Sequence, residues 1–325
     1  MNIPLNSNSF PQQSESVKLT RRLFLKCAGF LSVFAFTYTT LGWRGAFAKP
    51  FSGTGFTRNG LRTPFGISLD SAGSIYVTDP ASYQVRVYDG SGAFRYSFGQ
   101  PGQAKGSLNY PKGIAVDREG RIFVVDSNNG RIQVFDGEGK AIYVIGNPGA
   151  AAGFFYTPQG IALDGEGKIY IADTRNHRVQ IFKDMKCEMV LGKLGDREEE
   201  FRLPTAVAVS EDGKIYVVDS KHGKVKLFDR QGRFLGSIGR QGSGKGELNN
   251  PQGIAVDKVG NIYISDTGNN RIQKFTRDGN FVAAYGRQGS KEGEFNKPAG
   301  IYVDDTRLYV ADTFNRRIQI LKIGS

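Results

Sequence analysis

Short apolar runs separated by turn residues recur along most of this chain. In one copy, residues 253–257, 261–266, 271–275 and 281–285 are mostly apolar or alternate between apolar and polar positions. Runs of this length predict half-buried β-strands, and the Gly, Asn and Asp residues between them predict tight turns. No segment of the array has the period of a helix. The pattern therefore predicts an all-β protein in which each copy is a four-stranded antiparallel sheet.

The copies are evenly spaced along the chain. Each opens with a proline, and successive prolines lie 47, 47, 46, 47 and 47 residues apart: Pro64, Pro111, Pro158, Pro204, Pro251 and Pro298. We trace the shorter interval to residues 184–187, where the turn between the third and fourth strands is one residue short. Repeats of roughly 40–50 residues with several strands each are typical of β-propellers. A lone blade cannot bury both of its faces, so we predict that residues 49–325 form one six-bladed β-propeller.

An aspartate closes the second strand of every copy, and in five copies a cation follows five residues later. The two residues flank a hairpin turn, so they can pair across it or with a neighbouring blade. A ring of carboxylates could also hold a metal or supply an acid, but catalysis needs an asymmetric arrangement rather than equal copies. We therefore predict structural pairs in five blades: Asp126 with Arg131, Asp173 with Arg178, Asp219 with Lys224, Asp266 with Arg271, and Asp312 with Arg317.

Residues 158–164 and 173–182 closely resemble the signature of NHL repeats. The resemblance extends over about residues 60–322, and it implies a six-bladed propeller used mainly as a binding platform. The copy at 204–210 departs from the pattern, because it lacks both the glycine and the aspartate. Some animal NHL propellers bind RNA, which makes nucleic acid a possible partner by resemblance.

The first 48 residues do not fit the repeat. Residues 20–26 look like a twin-arginine export signal with Arg21 and Arg22 as its arginine pair, and an apolar run and a small-x-small cleavage site at 46–48 follow. We predict a signal peptide at 1–48 and a bacterial periplasmic or extracellular protein, which would be membrane-anchored only if the signal stays uncleaved. Such export disfavours nucleic acid as a partner. Cys187 is the one cysteine after residue 48, so no internal disulfide is expected there.

The last copy ends after its third strand, so its fourth strand is expected from the segment before the first proline. By the spacing of the other copies, this strand would cover about residues 47–51. Cleavage after Ala48 would leave only a stub, and a retained signal would leave the whole strand. Both alternatives stay open.

The net charge favours anionic partners. The chain carries a formal charge of +12, and residues 49–325 keep +8 of it. A basic surface of this kind attracts acidic glycans, phospholipid head groups, acidic proteins or nucleic acid.

The residue after each opening proline is expected to rim the central channel, on the face that carries the long interblade loops. These residues are Phe65, Lys112, Gln159, Thr205, Gln252 and Ala299. The ring is asymmetric, and we predict that it contacts a small ligand or a peptide. A solvated channel mouth is the alternative.

The long loops supply a second set of candidates. Loops 240–250 and 287–297 are rich in glycine and cations, so Arg240 and Arg287 are candidate contacts. The loop 147–156 is uncharged and ends in Phe154, Phe155 and Tyr156. These aromatic residues predict either an exposed docking patch beside the acidic loop 193–200 or side chains that fold back between blades.

The enzyme alternatives depend on whether the chain has the side chains that would bind a catalytic metal ion. Amidating lyases and lactonases are six-bladed propellers with Ca²⁺ or Zn²⁺ on the axis, and a zinc lyase site needs several converging His or Cys ligands. This chain has only His177 and His222, both in polar turns, and no hydrolase or phosphate-binding motif. No catalytic residue and no cofactor are predicted, although a Ca or Zn ion in the channel stays possible.

The leading hypothesis is therefore an exported, non-enzymatic scaffold that binds a protein, peptide or anionic glycan through one loop face. The first alternative is a metal-assisted lyase or hydrolase with its ion in the channel. The second is an accessory subunit of an exported redox complex. The oligomeric state is left open.

Overall fold

The computed structural model of the protein describes residues 60–323. Within this range, strands run as antiparallel meanders that form five four-stranded sheets and one three-stranded sheet. Blade 1 comprises β1 (Ile67–Leu69), β2 (Ile75–Asp79), β3 (Gln84–Tyr88) and β4 (Phe94–Phe98). Blade 2 comprises β5 (Pro111–Val116), β6 (Ile122–Asp126), β7 (Arg131–Phe135) and β8 (Ala141–Ile145). Blade 3 comprises β9 (Ile161–Leu163), β10 (Ile169–Asp173), β11 (Arg178–Lys183) and β12 (Lys186–Leu191).

The second half repeats this arrangement. Blade 4 comprises β13 (Pro204–Val209), β14 (Ile215–Asp219), β15 (Lys224–Phe228) and β16 (Phe234–Ile238). Blade 5 comprises β17 (Gly253–Val256), β18 (Ile262–Asp266), β19 (Arg271–Phe275) and β20 (Phe281–Tyr285). Blade 6 comprises β21 (Pro298–Val303), β22 (Arg307–Asp312) and β23 (Arg317–Lys322). The prediction of an all-β, six-bladed propeller is confirmed.

Six hydrophobic cores hold the ring together, one between each pair of neighbouring blades. Tyr88 of blade 1 and Tyr309 of blade 6 are buried in the core that joins the last blade to the first. Across the same junction, Gly300 N donates to Phe65 O at 2.8 Å, and Thr313 Oγ1 donates to Pro64 O at 2.8 Å. The described chain therefore closes into a ring through its inner strands.

In five blades a glycine lies two positions after the opening proline, where a larger residue would clash with the neighbouring blade. A Cβ atom on Gly113 would lie 2.3 Å from the carbonyl oxygen of Gln159 in the next blade. A Cβ atom on Gly300 would lie 2.2 Å from the carbonyl oxygen of Phe65. Real Cβ atoms do not approach so closely, so at these two junctions the inner strands can meet at the axis only because glycine occupies the position. Blade 4 is the exception and carries Ala206 at this position.

The turns follow the sequence pattern. The turn between the second and third strands of each blade is a single 3-10 turn that ends in a left-handed residue, as at Asn270 with φ 55°. In blade 3 the turn between β11 and β12 contains only Asp184 and Met185, both with positive φ. This two-residue turn accounts for the 46-residue interval.

Several predictions concern residues outside the described range. The signal peptide at 1–48 with Arg21 and Arg22, and the fourth strand of blade 6 at 47–51, lie there. Across residues 60–323, no helix has the length and apolar character needed to span a membrane.

Candidate functional site

The candidate site lies where the long interblade loops meet the 3-10 turns, on the surface that we call the loop face. The 3-10 turns are tied to these loops by backbone hydrogen bonds. Asn128 N donates to Asn109 O at 3.0 Å in blade 2, and Arg175 N donates to Tyr156 O at 3.1 Å in blade 3. Blades 4, 5 and 6 repeat this bond. The loop face is therefore a braced surface rather than a set of independent loops.

We define the loop-face mouth as the two residues flanking each opening proline, together with the middle residue of each 3-10 turn. Its members are Thr63, Phe65, Ala81, Tyr110, Lys112, Asn128, Thr157, Gln159, Arg175, Leu203, Thr205, Lys221, Asn250, Gln252, Gly268, Lys297, Ala299 and Phe314. Four of these residues are cations and none is an acid: Lys112, Arg175, Lys221 and Lys297. The mouth is thus a surface of one sign.

Lys112 has the most unusual surroundings of these cations. Its side chain is half-buried, and its ammonium lies 4.9 Å from the ring centroid of Phe65 and 5.7 Å from that of Tyr110. Burial lowers the pKa of Lys112 to about 8, and no charged neighbour in residues 60–323 contributes to that shift. Two aromatic faces partly stabilise the cation, and no carboxylate among the described residues pairs with it.

The channel narrows to a cavity of about 80 Å³ beneath the mouth. Four of the predicted channel residues line it: Phe65, Gln159, Thr205 and Gln252. Lys112 lies at its rim, with the ammonium over Phe65 rather than in the cavity itself. Gln159 Oε1 is buried and has no hydrogen-bond partner among the described residues. This narrow part of the channel can admit only a few small atoms.

The three aromatic residues of loop 147–156 separate into two groups. Phe155 is fully buried and packs against Phe182, with ring centroids 5.7 Å apart, so its prediction as a loop-face contact is wrong. Phe154 and Tyr156 stay exposed, at 41% and 50%. Tyr156 lies 5.6 Å from the guanidinium of Arg175.

A periodic signal could have identified the buried member. Each opening proline is preceded by an apolar residue three positions earlier, and all six are buried: Leu61, Leu108, Phe155, Phe201, Leu248 and Phe295. These residues anchor the long loops into the interblade cores. Phe155 is one copy of this anchor.

The predicted contacts in the outer loops are compensated cations. Arg240 lies 2.7 Å from Glu247, and Arg287 lies 2.9 Å from Glu294. Each glutamate belongs to the same loop as its arginine, seven residues later. Their positive charge is therefore partly neutralised, unlike that of Lys112.

The repeated aspartates are structural, as the sequence pattern suggested. In blade 2, Arg131 Nε lies 2.7 Å from Asp126 Oδ2, across the turn of the same blade. Asp126 also accepts hydrogen bonds from Asn129, Gln133 and the backbone N–H of Asn109. The same ion pair forms in blades 3, 5 and 6. These carboxylates hold the long loops and are not free for chemistry.

Blade 4 forms a different pair from the predicted one. Lys224 lies opposite Asp219 in the strand register, but the ion pair to Asp219 comes from the buried Lys226 at 3.0 Å. Lys226 stands where the regular blades have glutamine, and its longer side chain brings a cation to the carboxylate. His222 replaces the usual asparagine, and its Nδ1 lies 2.6 Å from Asp219 Oδ2.

Both histidines take part in loop-anchoring contacts. His222 Nε2 also faces Asp196 Oδ1 at 3.0 Å, and His177 Nδ1 accepts a hydrogen bond from Leu203 N at 3.1 Å. Burial lowers the pKa of His177. Within residues 60–323, no group of three or more His, Cys, Asp or Glu side chains is arranged to hold a metal ion.

The opposite end of the channel, which we call the opposite mouth, is wider and acidic. Its cavity of about 640 Å³ is lined in part by Asp117, Asp164, Glu166 and Glu211. Asp164 accepts hydrogen bonds from its own turn and from the hydroxyl of Tyr170 at 3.0 Å. The carboxylate of Asp164 is therefore already hydrogen-bonded within its own blade.

Family models agree with this geometry. Residues 108–135 and 155–182 match the model of the NHL repeat, and residues 198–275 match a model described as a 6-bladed beta-propeller. The chain thus carries NHL repeats within a six-bladed propeller. None of the curated proteins compared matches the chain.

Similar solved structures show the fold and differ in activity. A catalytically inactive histidine-to-alanine variant of virginiamycin B lyase from Staphylococcus aureus, with quinupristin, is 12% identical at a TM-score of 0.58, covering 84% of this chain and 99% of its own. A gluconolactonase from Xanthomonas campestris is 14% identical at a TM-score of 0.61, and the match covers 81% of this chain and 87% of the gluconolactonase. An auxiliary nutrient binding protein from Bacteroides thetaiotaomicron is 16% identical at a TM-score of 0.62, and the match covers 80% of this chain and 69% of that protein. Identities this low carry the fold alone.

Proposed function

We propose that this protein is an exported binding module that recognises an anionic partner at its loop-face mouth and performs no reaction. The observation that carries the proposal is the charge of the mouth, which has four cations and no acid among its eighteen residues. A half-buried ammonium without a carboxylate is costly, and a bound anion offsets that cost.

The partner's chemistry follows from the same surface. A protein, a peptide or a glycan with carboxylate groups fits a braced, cationic mouth, and the +8 charge of residues 49–325 assists the encounter. Export through the segment at 20–48 is part of the proposal and makes nucleic acid a less suitable partner.

A charge-neutralising variant tests the proposal. We expect the full chain to bind polygalacturonate, polyglutamate or both, and the triple variant Lys112→Gln, Arg175→Gln, Lys221→Gln to lose about a hundredfold in affinity. The matched control removes three exposed cations away from the loop face: Lys140→Gln, Lys186→Gln and Lys322→Gln. This control has the same net charge as the test variant.

Titration calorimetry at physiological salt separates the outcomes. A large loss in the mouth variant alone supports the proposal. Equal losses of affinity in both variants would show that binding depends on net charge alone and would contradict a specific site at the mouth. Absence of binding to either polyanion would also contradict the proposal.

A second candidate is a metal-assisted lyase or hydrolase, supported by the likeness to a lyase and a gluconolactonase. Against it, the residues lining the axial cavity include no carboxylate and no imidazole. Elemental analysis of protein purified without chelators tests this candidate. About one Ca or Zn per chain after dialysis would favour it over the binding module.

A further inference from the structure

Two exposed tyrosines at or next to the loop-face mouth each lie beside a cation, on neighbouring blades. In blade 2 the ring of Tyr110 lies 5.7 Å from the ammonium of Lys112. On the blade 3 side the ring of Tyr156 lies 5.6 Å from the guanidinium of Arg175. The tyrosines are 43% and 50% exposed, so their ring surfaces are open to a ligand.

The positions of the two pairs are set by rigid elements. Tyr110 and Lys112 flank the proline that opens β5, and Tyr110 adopts a left-handed φ of 58°. Arg175 is the middle residue of a 3-10 turn, and its N–H is bonded to the carbonyl of Tyr156 itself. The backbone that carries each ring and its cation is therefore held in place without a ligand.

An aromatic face beside a cation suits a particular kind of ligand. The flat C–H face of a sugar packs on an aromatic ring, and a carboxylate on the same sugar forms a charge-assisted hydrogen bond with a nearby lysine or arginine. We propose that the Tyr110–Lys112 and Tyr156–Arg175 pairs are neighbouring subsites for uronic-acid units of an acidic glycan. This inference rests on the proposed function of the loop-face mouth and names its ligand class.

The backbone of the mouth favours a glycan over an acidic peptide. An extended peptide binds best by adding main-chain hydrogen bonds to a free strand edge. Here the N–H groups of Asn128, Gln159 and Arg175 are already bonded to carbonyl oxygens within the protein. The mouth presents side-chain rings and cations instead, which are the groups that contact a sugar acid.

The amine of Lys112 gives the first subsite a measurable proton linkage. Phe65 from blade 1 and Tyr110 from blade 2 face this amine, and Tyr110 is the titratable member of that pair. Burial lowers the pKa of Lys112 to about 8, so about half of the free protein lacks this proton at pH 8. A bound carboxylate favours the charged amine and raises its pKa, so binding takes up about half a proton at pH 8 and almost none at pH 6.

The experiment uses the full chain, a galacturonate trisaccharide and the neutral galactose trisaccharide in titration calorimetry. We expect the acidic sugar to bind and the neutral one to bind at least tenfold more weakly. Lys112→Gln and Tyr110→Ala should each lower affinity about tenfold. The matched controls Lys140→Gln and Tyr143→Ala remove an exposed lysine and an exposed tyrosine elsewhere and should leave affinity unchanged.

Proton uptake is read at pH 8 from binding enthalpies in buffers of different ionisation enthalpy. Uptake in the native chain and its absence in Lys112→Gln support the assignment. Hexaglutamate binding with no binding of the acidic sugar would overturn the glycan assignment while leaving the proposed function intact. Binding of the acidic sugar that neither Lys112→Gln nor Tyr110→Ala weakens would overturn the subsites, and absence of binding to any anion would overturn the proposed function itself.

Discussion

The two ends of the channel differ in sign and in how their charges are used. At the opposite mouth, Asp164 is bonded to its own turn and to Tyr170, and Glu166 pairs with Arg230 at 2.9 Å. At the loop-face mouth, Lys112 has two aromatic neighbours and, within residues 60–323, no carboxylate partner. A charged side chain that already forms hydrogen bonds or ion pairs within its own region stabilises the fold, whereas a charged side chain without such a partner can bind another molecule.

On the loop side, one carboxylate of each blade is buried beneath the surface and anchors a long loop, as Asp266 does with Arg271 at 2.7 Å. Other acids of this face stay exposed, as Asp196, Glu198 and Glu199 do in the acidic loop 193–200. Asp196 pairs with Arg202 at 2.7 Å and faces His222 at 3.0 Å. The positive charge of the mouth is therefore local to its eighteen residues, and exposed acids lie next to it at blade 4.

The largest expected effect comes from a loop-face anchor. Asp266→Ala leaves Arg271 without its buried partner and Asn249 N without its acceptor, so the free energy of unfolding should fall by about 3–5 kcal/mol. The control Asp305→Ala removes an exposed acid of the opposite face, whose pair with Lys258 is screened by solvent and contributes little to stability. Urea denaturation measures both, and similar losses would contradict the assignment of Asp266 as an anchor.

A second substitution tests the close approach of the inner strands. Gly113→Ala brings a Cβ to 2.3 Å from the carbonyl oxygen of Gln159, so unfolding should become easier by about 1–3 kcal/mol. Gly137→Ala is the control, because a Cβ there meets nothing within 4 Å. A shift of the thermal midpoint in the first variant alone is expected. An unchanged midpoint would mean that the ring of inner strands can widen at little cost.

Lys112 should make stability depend on pH. Its pKa is about 8 in the folded protein and near 10.4 in an unfolded chain, so between these values the unfolded state binds more protons and stability rises with pH. Lys112→Met removes the buried charge and should raise the free energy of unfolding by roughly 1–2 kcal/mol at pH 7 and by less at pH 10. Denaturant titrations at both pH values measure the difference, and an equal gain at both would show that the charge is not the cause.

The smallest expected effects compare two tyrosines of the opposite face. The hydroxyl of Tyr170 donates to Asp164, so Tyr170→Phe should cost about 1 kcal/mol. Blade 4 has Ser210 at the equivalent position, so no carboxylate stands there, and the buried hydroxyl of Tyr216 forms no hydrogen bond of normal geometry with the described residues. Tyr216→Phe should therefore be neutral or slightly stabilising by thermal unfolding. A cost equal to that of Tyr170→Phe would mean that Tyr216 has a partner after all.

Much of the fold follows from the sequence because its period repeats. Six prolines at near-constant spacing predict six blades, and the short turn at 184–187 is visible as one missing residue. The Asp–Arg pairs of four blades also follow, since their spacing of five residues spans a hairpin turn. The predicted channel residues Phe65 and Gln159 line one cavity for the same reason.

Two details of the loop face differ in how far the sequence reaches. The burial of Phe155 follows from the repeat, because an apolar residue lies three positions before every opening proline, and Phe155 contacts Phe182 in the interblade core. The pairing of Asp219 does not follow from the repeat. Lys226 rather than Lys224 pairs with this carboxylate, although the two side chains have the same length, because Lys226 is buried beside it.

The sequence by itself determined the number of blades, their strand order and the residues at the axis, because these depend on period and turn chemistry, which are local. The tertiary structure decided which charges are compensated. Lys112 and Arg240 are both cations near a proline-flanking loop, yet one faces two aromatic rings and the other a glutamate. Glu247 reaches Arg240 through the fold of their own loop, whereas Phe65 reaches Lys112 from the neighbouring blade, and both arrangements depend on packing beyond the local sequence.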